Sequence, residues 1–180
     1  MREKDIRNFG YLLIFLMIIV FYGLSQRSGE YVVEEVIDGD TIKLKSGERV
    51  RYIGIDTPEL SGENGRPEFY AWEAKEANRK LVEGKRVRLE FDVERRDRYG
   101  RLLAYVYVDG LMVNEWLVAN GYARVYTFPP NVRYEDNFKK LELEAQRLGL
   151  GIWRDLTRKR SAVQSAFWLN AGYCLVKALG

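Results

Sequence analysis

The chain has no histidine at all and a single cysteine, Cys174. The first absence excludes imidazole general bases, Ser–His and Cys–His nucleophile pairs, and histidine-ligated zinc. The second excludes an intramolecular disulfide in any compartment. No internal repeat and no low-complexity tract is visible. The chemistry left open is that of carboxylates, arginines, lysines and tyrosines, together with a metal that prefers oxygen donors.

The sequence has 180 residues, 47% of them hydrophobic, enough for one globular domain with a core plus appendages. Charged residues make up 31%, with a formal net charge of +3. Such a mild basic excess permits a polyanionic partner without demanding one.

The first thirty residues read as a separate piece. Residues 1–8 are a basic end carrying Arg2, Lys4 and Arg7, and residues 9–24 form an apolar run broken only by Gly10 and Gly23. A run of this length suits a transmembrane anchor or a signal segment, and both readings stay open: the bulky Phe21-Tyr22 favours retention, while Gly23 and Ser25 offer a weak cleavage site. In both, the basic end stays cytoplasmic and the remainder is exported. The remainder is therefore expected at the cell membrane, or secreted if the segment is removed. Residues 25–30 are a polar linker and 31–153 the domain proper. Residues 154–180 combine a basic cluster with a weakly amphipathic run that presents Phe167, Ala171, Cys174 and Ala178 on one side. Packing onto the domain and lying on a membrane surface both accord with that tail.

From Tyr31 the hydrophobic period becomes two. "YVVEEVI", "TIKLKS" and "ERVRYIGI" read as three strands separated by the turn signals Asp38-Gly39 and Ser46-Gly47. "PEFYAWEAKEANRKLVEG" changes to helical spacing, with Pro67 in its first turn, Tyr70, Ala74, Ala77 and Leu81 recurring, and Gly84 as the stop. "RVRLEFDVE" alternates Val87, Leu89, Phe91 and Val93 inward, and "LLAYVYVDG" returns as a more fully buried strand. "LMVNEWLVANG" reads as a short amphipathic helix, and "RYEDNFKKLELEAQRLGLG" as a last helix with Leu141, Ala145 and Leu148 inward. Three strands, a helix, two strands and then helices do not make a parallel α/β alternation. They fit a β-rich α+β domain, a five-stranded antiparallel OB-fold barrel with about three packed helices.

Singly, Asp40 and Asp56 read as turn residues, Glu59 as a solvated carboxylate and Arg51 as an edge-strand charge. Jointly they say more. In an antiparallel meander the start of the second strand and the end of the third lie at one end of the sheet, so Asp40 and Asp56 converge there with Glu59 a few residues on. Pro58 holds Thr57 extended, which aims a carbonyl toward the same space. Two carboxylates, a carbonyl and water suit a hard cation, calcium rather than zinc.

"VIDGDTIKL", "RYIGIDTPE" and "DRYGRLLAYVY" resemble, in order and spacing, the three signature blocks of the thermonuclease, or staphylococcal nuclease-like, family. The similarity runs from about Tyr31 to Trp153, ending in "GIW". That resemblance implies a Ca²⁺-dependent phosphodiester hydrolase acting on single- or double-stranded DNA and RNA and leaving 3′-phosphates, a monomer. It implies Asp40 and Asp56 as carboxylate ligands of the metal and Thr57 as a carbonyl ligand. Glu59 would orient or deprotonate the attacking water, with Arg51 and Arg101 clamping the scissile phosphate. Arg98 and Tyr99 match positions near the nucleotide. The block "YARVYTFPPN" departs from the family pattern; it offers Tyr126 and Phe128 for substrate binding, and a core role for either accords equally with it. Two readings without catalysis stand beside the enzyme: a non-catalytic OB-fold nucleic-acid-binding module tethered to the membrane, and a membrane-surface scaffold. Both leave unexplained why all five of Asp40, Arg51, Asp56, Glu59 and Arg101 are present.

Overall fold

Burial alternates along the strands because successive side chains point to opposite faces, and five of those strands close into a barrel. In the computed structural model, which describes residues 30–62 and 64–154, the strands are β1 (Glu30–Asp38), β2 (Thr41–Leu44), β3 (Arg49–Tyr52), β4 (Ile55–Asp56), β5 (Arg86–Glu90), β6 (Leu102–Val108), β7 (Leu111–Met112) and β8 (Arg124–Val125). The helices are α1 (Ala71–Val82), α2 (Val113–Ala119) and α3 (Glu135–Leu148), followed by a 3₁₀ turn over Gly151–Trp153. The apolar run 9–24, the linker 25–29 and the tail 155–180 lie outside the described residues. Among the described residues no helix is long and apolar enough to cross a membrane.

The main sheet runs β3-β2-β1-β5-β6-β7, and an additional β3–β6 pairing closes the five-stranded ring. β1–β2, β2–β3 and β5–β6 are antiparallel. The closing seam is parallel, pairing Val50 with Leu102 and Arg51 with Leu103. The expected antiparallel barrel therefore carries one parallel join. Two register shifts in β1, between Val33 and Glu35 and between Val36 and Asp38, bend that strand around the ring. Inside lie Val33, Val36, Ile42, Leu44, Val50, Leu89, Ala104 and Val106, each under 5% exposed. A fully buried Leu or Ile of this kind contributes about 2 kcal/mol.

The helices differ from the sequence expectation at their ends. α1 starts at Ala71, not near Pro67, because Tyr70 takes a left-handed conformation (φ 73°) that ends the preceding loop. It buries Ala71, Ala74, Ala77, Asn78 and Val82, and stops before Gly84. Leu111 and Met112 form a strand against β6, so α2 begins at Val113. In α3 the buried residues are Phe138 and Ala145, whereas Leu148, placed inward by its spacing, is exposed in the last turn before Gly149. β5 ends at Glu90; Val93 is exposed because the chain has already left the ladder.

Two buried asparagines tie helices to the site end of the barrel. Asn78 of α1 accepts the Tyr52 hydroxyl at 2.9 Å and donates to the Asp38 carbonyl at 3.3 Å. Asn114 of α2 accepts the Val106 amide at 2.9 Å and donates to the Ile53 carbonyl at 2.9 Å. A buried amide that satisfies both its groups in this way costs little and fixes one helix position.

Candidate active site

The segment 38–59 folds so that its acids gather around one arginine. β1 and β2 meet at Gly39, where a side chain would force Thr57 to move: a Cβ there would lie 2.6 Å from Thr57 Oγ1. This close approach brings Thr57 onto Asp40. Asp40 is only 3% exposed, so its carboxylate must be satisfied internally. Its Oδ1 accepts the Thr41 hydroxyl at 3.1 Å. Its Oδ2 accepts the Thr57 amide at 2.9 Å and the Thr57 hydroxyl at 3.1 Å, and lies 3.0 Å from Arg51 Nη1. Arg51 also donates from Nη1 to the Tyr52 and Ile55 carbonyls, at 3.1 and 2.8 Å, and from Nη2 to Asp56 Oδ1 at 2.8 Å. The guanidinium thus lies between the two aspartates. Antiparallel pairing places it there, since Arg51 is the partner of Thr41 in the β2–β3 ladder.

Asp56 is held in the two-residue strand β4, paired with Arg124 of β8. Burial pushes its carboxyl up from the ordinary value; Arg51 draws it down, while Asp40 and Glu68 add repulsion. Glu59 is exposed as a residue, yet its carboxyl is partly withdrawn from water. That withdrawal, a hydrogen bond with Asp38 and the charges of Asp38, Asp40 and Asp56 push its pKa up to about 7. Asp38 is itself raised, first by burial and also by the charge of Asp40, while the bonds it accepts from the Gly39 amide and from Glu59 work against that rise. The two carboxyls titrate as a coupled pair. Asp38 is a member of the site that the sequence reading took only as a turn former. The signal was its place in the Asp38-Gly39-Asp40 turn, which joins β1 to β2 and so holds Asp38 at the same end of the sheet as Asp40.

Arg101 comes from the turn before β6. Asp97 accepts its Nε at 2.7 Å and its amide at 2.9 Å, and the Tyr99 amide at 2.9 Å. Arg101 and Arg98 both approach the Tyr99 ring, 5.6 and 4.8 Å from its centroid, and Arg98 donates to the Tyr99 hydroxyl at 2.7 Å. The parallel seam brings this turn beside Arg51. Arg51, Arg98, Tyr99, Arg101, Tyr126 and Phe128 line one open cleft of about 500 Å³. Tyr126 and Phe128 are 58% and 71% exposed, which decides against a core role for either. Their rings lie 6.3 Å apart. Arg51 is the one residue that borders both the acids and the cleft.

The donors around Arg51 are all oxygen. Asp40 and Asp56 already receive a cationic group between them, and the Thr57 peptide adjoins them. That chemistry fits a hard cation. Among the described residues no three Asp, Glu, His or Cys side chains are grouped tightly enough to hold an ion by themselves, so two carboxylates, a carbonyl and water would form the set.

Comparison with known proteins then adds a family. The model of the staphylococcal nuclease homologue family matches residues 49–155. The SPbeta prophage-derived endonuclease YokF of Bacillus subtilis (strain 168) is 46% identical over 129 residues, 69% of this chain and 44% of that protein. Endonuclease YncB of the same organism is 47% identical over 126 residues, 67% of this chain and 60% of that protein. The thermonuclease of Staphylococcus intermedius is 44% identical over 130 residues, 71% of this chain and 77% of that protein. The matched region thus spans about half the length of the two Bacillus relatives.

Proposed function

The chain belongs to the staphylococcal nuclease homologue family, and we propose that it is a calcium-dependent nuclease that hydrolyses phosphodiester bonds in DNA and RNA and leaves 3′-phosphate ends. The observation that carries this reading is Arg51, shared between an oxygen-only acidic centre and a cleft lined by Arg101 and three exposed aromatics.

Asp40, Asp56 and the Thr57 carbonyl would hold the cation, which supplies positive charge to a phosphate oxygen as negative charge builds there. Arg51 and Arg101 each present a planar fork that matches a phosphate bidentately, which a lysine cannot do. Asp97 fixes Arg101 through Nε, leaving its terminal nitrogens for the phosphate. Glu59, with a pKa of about 7, is suited to take a proton from an attacking water near neutral pH. Arg98, Tyr99 and Tyr126 bind the neighbouring nucleotide, the rings by stacking. Phe128 can stack likewise but has no hydroxyl to offer a phosphate.

The exported location argued from residues 1–24 belongs to the same proposal: a domain tethered at the cell membrane, or secreted, working as a monomer on extracellular nucleic acid. The test is cleavage of single-stranded DNA with millimolar Ca²⁺ and again with EGTA. Calcium-dependent products ending in 3′-phosphate are expected. Tight binding without cleavage under any divalent metal would leave the non-catalytic OB-fold module as the function.

A further inference from the structure

Of the exposed aromatics among the described residues, Tyr99, Tyr126 and Phe128 line the cleft, but Phe69 and Trp72, 60% and 61% exposed, do not. Their place is next to the acids. The Glu59 carbonyl accepts the Glu68 amide at 2.9 Å, and the Glu59 amide donates to Glu68 Oε2 at 3.2 Å, so Phe69 follows a residue bonded on both sides to Glu59. Glu68 is near enough to Asp56, and Lys75 to Asp38, for their charges to act on those carboxyls. Trp72 and Lys75 are three apart on α1 and adjoin on its surface, so Trp72 stands on the exposed flank of the helix that carries Lys75.

Tyr70, between the two aromatics, adopts φ 73°, a conformation rare for a bulky residue. Its ring stacks on Tyr122 (5.7 Å between centroids, 29°), and Tyr122 stacks on Trp116 (5.6 Å, 10°). This column pins the bend and leaves Phe69 and Trp72 in water, where side chains of that size are seldom left. An anchored bend that exposes two large rings beside a reaction centre has the form of a stacking platform.

We propose that Phe69 and Trp72, with Lys75 beside them, form a second nucleotide subsite, which stacks a base of the polynucleotide on the side of the scissile phosphate away from the Tyr99–Tyr126–Phe128 cleft. The proposal rests on the nuclease reading for the direction of the strand. Arg51 marks the junction, since it lines the cleft and is bonded to Asp40 and Asp56, whereas Phe69 and Trp72 do not line the cleft. Base faces carry no net charge, so Glu68 and Glu73 do not oppose stacking, and Lys75 supplies the cation for a phosphate. A lipid surface is the poorer occupant, because anionic headgroups call for cations around the rings where these acids stand.

The test compares full-length chain and Phe69→Ala/Trp72→Ala on a single-stranded DNA dodecamer and on a dinucleotide. Losing one stacked base raises the dodecamer KM about tenfold; kcat and the dinucleotide KM stay near wild type, and Trp72→Phe, which keeps a ring, restores the dodecamer KM. Equal effects on both substrates, or none, would overturn the subsite. So would loss of binding to phosphatidylserine vesicles with unchanged kinetics. The tryptophan fluorescence that disappears in Trp72→Phe separates this idea from the nuclease reading. A wild-type chain whose Trp72 is quenched by the dodecamer, but which cleaves nothing, keeps the subsite and refutes the nuclease. Cleavage with Trp72 unquenched and KM unchanged does the reverse.

Discussion

Arg51 Nη1 lies 3.0 Å from the Oδ2 of Asp40, one of the least exposed carboxylates in the domain. The same guanidinium reaches Asp56 and two carbonyls, contacts that fix its plane at the edge of the cleft. Arg51→Lys keeps a charge but not the fork, and is expected to lower kcat by about a hundredfold or more. Single-turnover cleavage at saturating DNA measures this, and near-wild-type rates would remove Arg51 from the phosphate clamp.

Glu59 must lose its proton to act as a base, so the rate should fall as pH drops through about 7. Asp38 holds that proton on Glu59 by hydrogen bond and charge. Asp38→Asn should therefore move the acid limb of the pH–rate profile to lower pH. A limb that stays put would mean that another group titrates.

The same pair has a stability consequence. Glu59 binds its proton more tightly in the folded chain than in the unfolded one. Between the ordinary 4.5 and about 7 the folded state therefore holds more protons, and stability falls as pH rises. Thermal melting in EGTA should show this slope, and Glu59→Gln should flatten it.

Gly39→Ala is expected to act on the cation rather than on the substrate. Its Cβ would meet the Thr57 side chain at 2.6–2.9 Å, and Thr57 is what holds Asp40 Oδ2. The overpacking should cost about 1–3 kcal/mol and weaken Ca²⁺ binding in calorimetry. An unchanged affinity would show that Thr57 does not set the Asp40 position.

Asp97→Ala removes the partner that orients Arg101. A displaced clamp lowers kcat/KM by about a hundredfold, while the three lost hydrogen bonds lower the melting temperature as well. If kcat/KM stays within a few-fold of wild type, Arg101 needs no orientation by Asp97.

The sequence made the barrel legible wherever burial is a local property. Alternation along β5, the near-continuous apolar run of β6 and the Ala74–Ala77 spacing of α1 translate directly into what meets the core. Val93 kept that periodicity past the end of β5 and Leu148 in the last residue of α3, and both are exposed. The left-handed Tyr70 moved the start of α1 past Pro67 because its conformation is held by a ring stack on Tyr122, a residue fifty positions away that no local rule includes. In the site, the convergence of Asp40 and Asp56 was legible from meander geometry and Arg51 from the family resemblance, whereas the raised carboxyls of Asp38 and Glu59 depend on how far each is withdrawn from water. That withdrawal exists only in three dimensions.

The parallel β3–β6 seam joins Arg51 to Leu103, half a hundred residues apart in the chain. Contacts so distant in sequence are costly in loop entropy and slow to form, so they belong to the late stages of folding. Until the seam closes, Arg51 and Arg101 are not neighbours. A chain still emerging from the ribosome therefore carries both side chains yet has no cleft between them, and under the nuclease proposal it would acquire activity only on barrel closure.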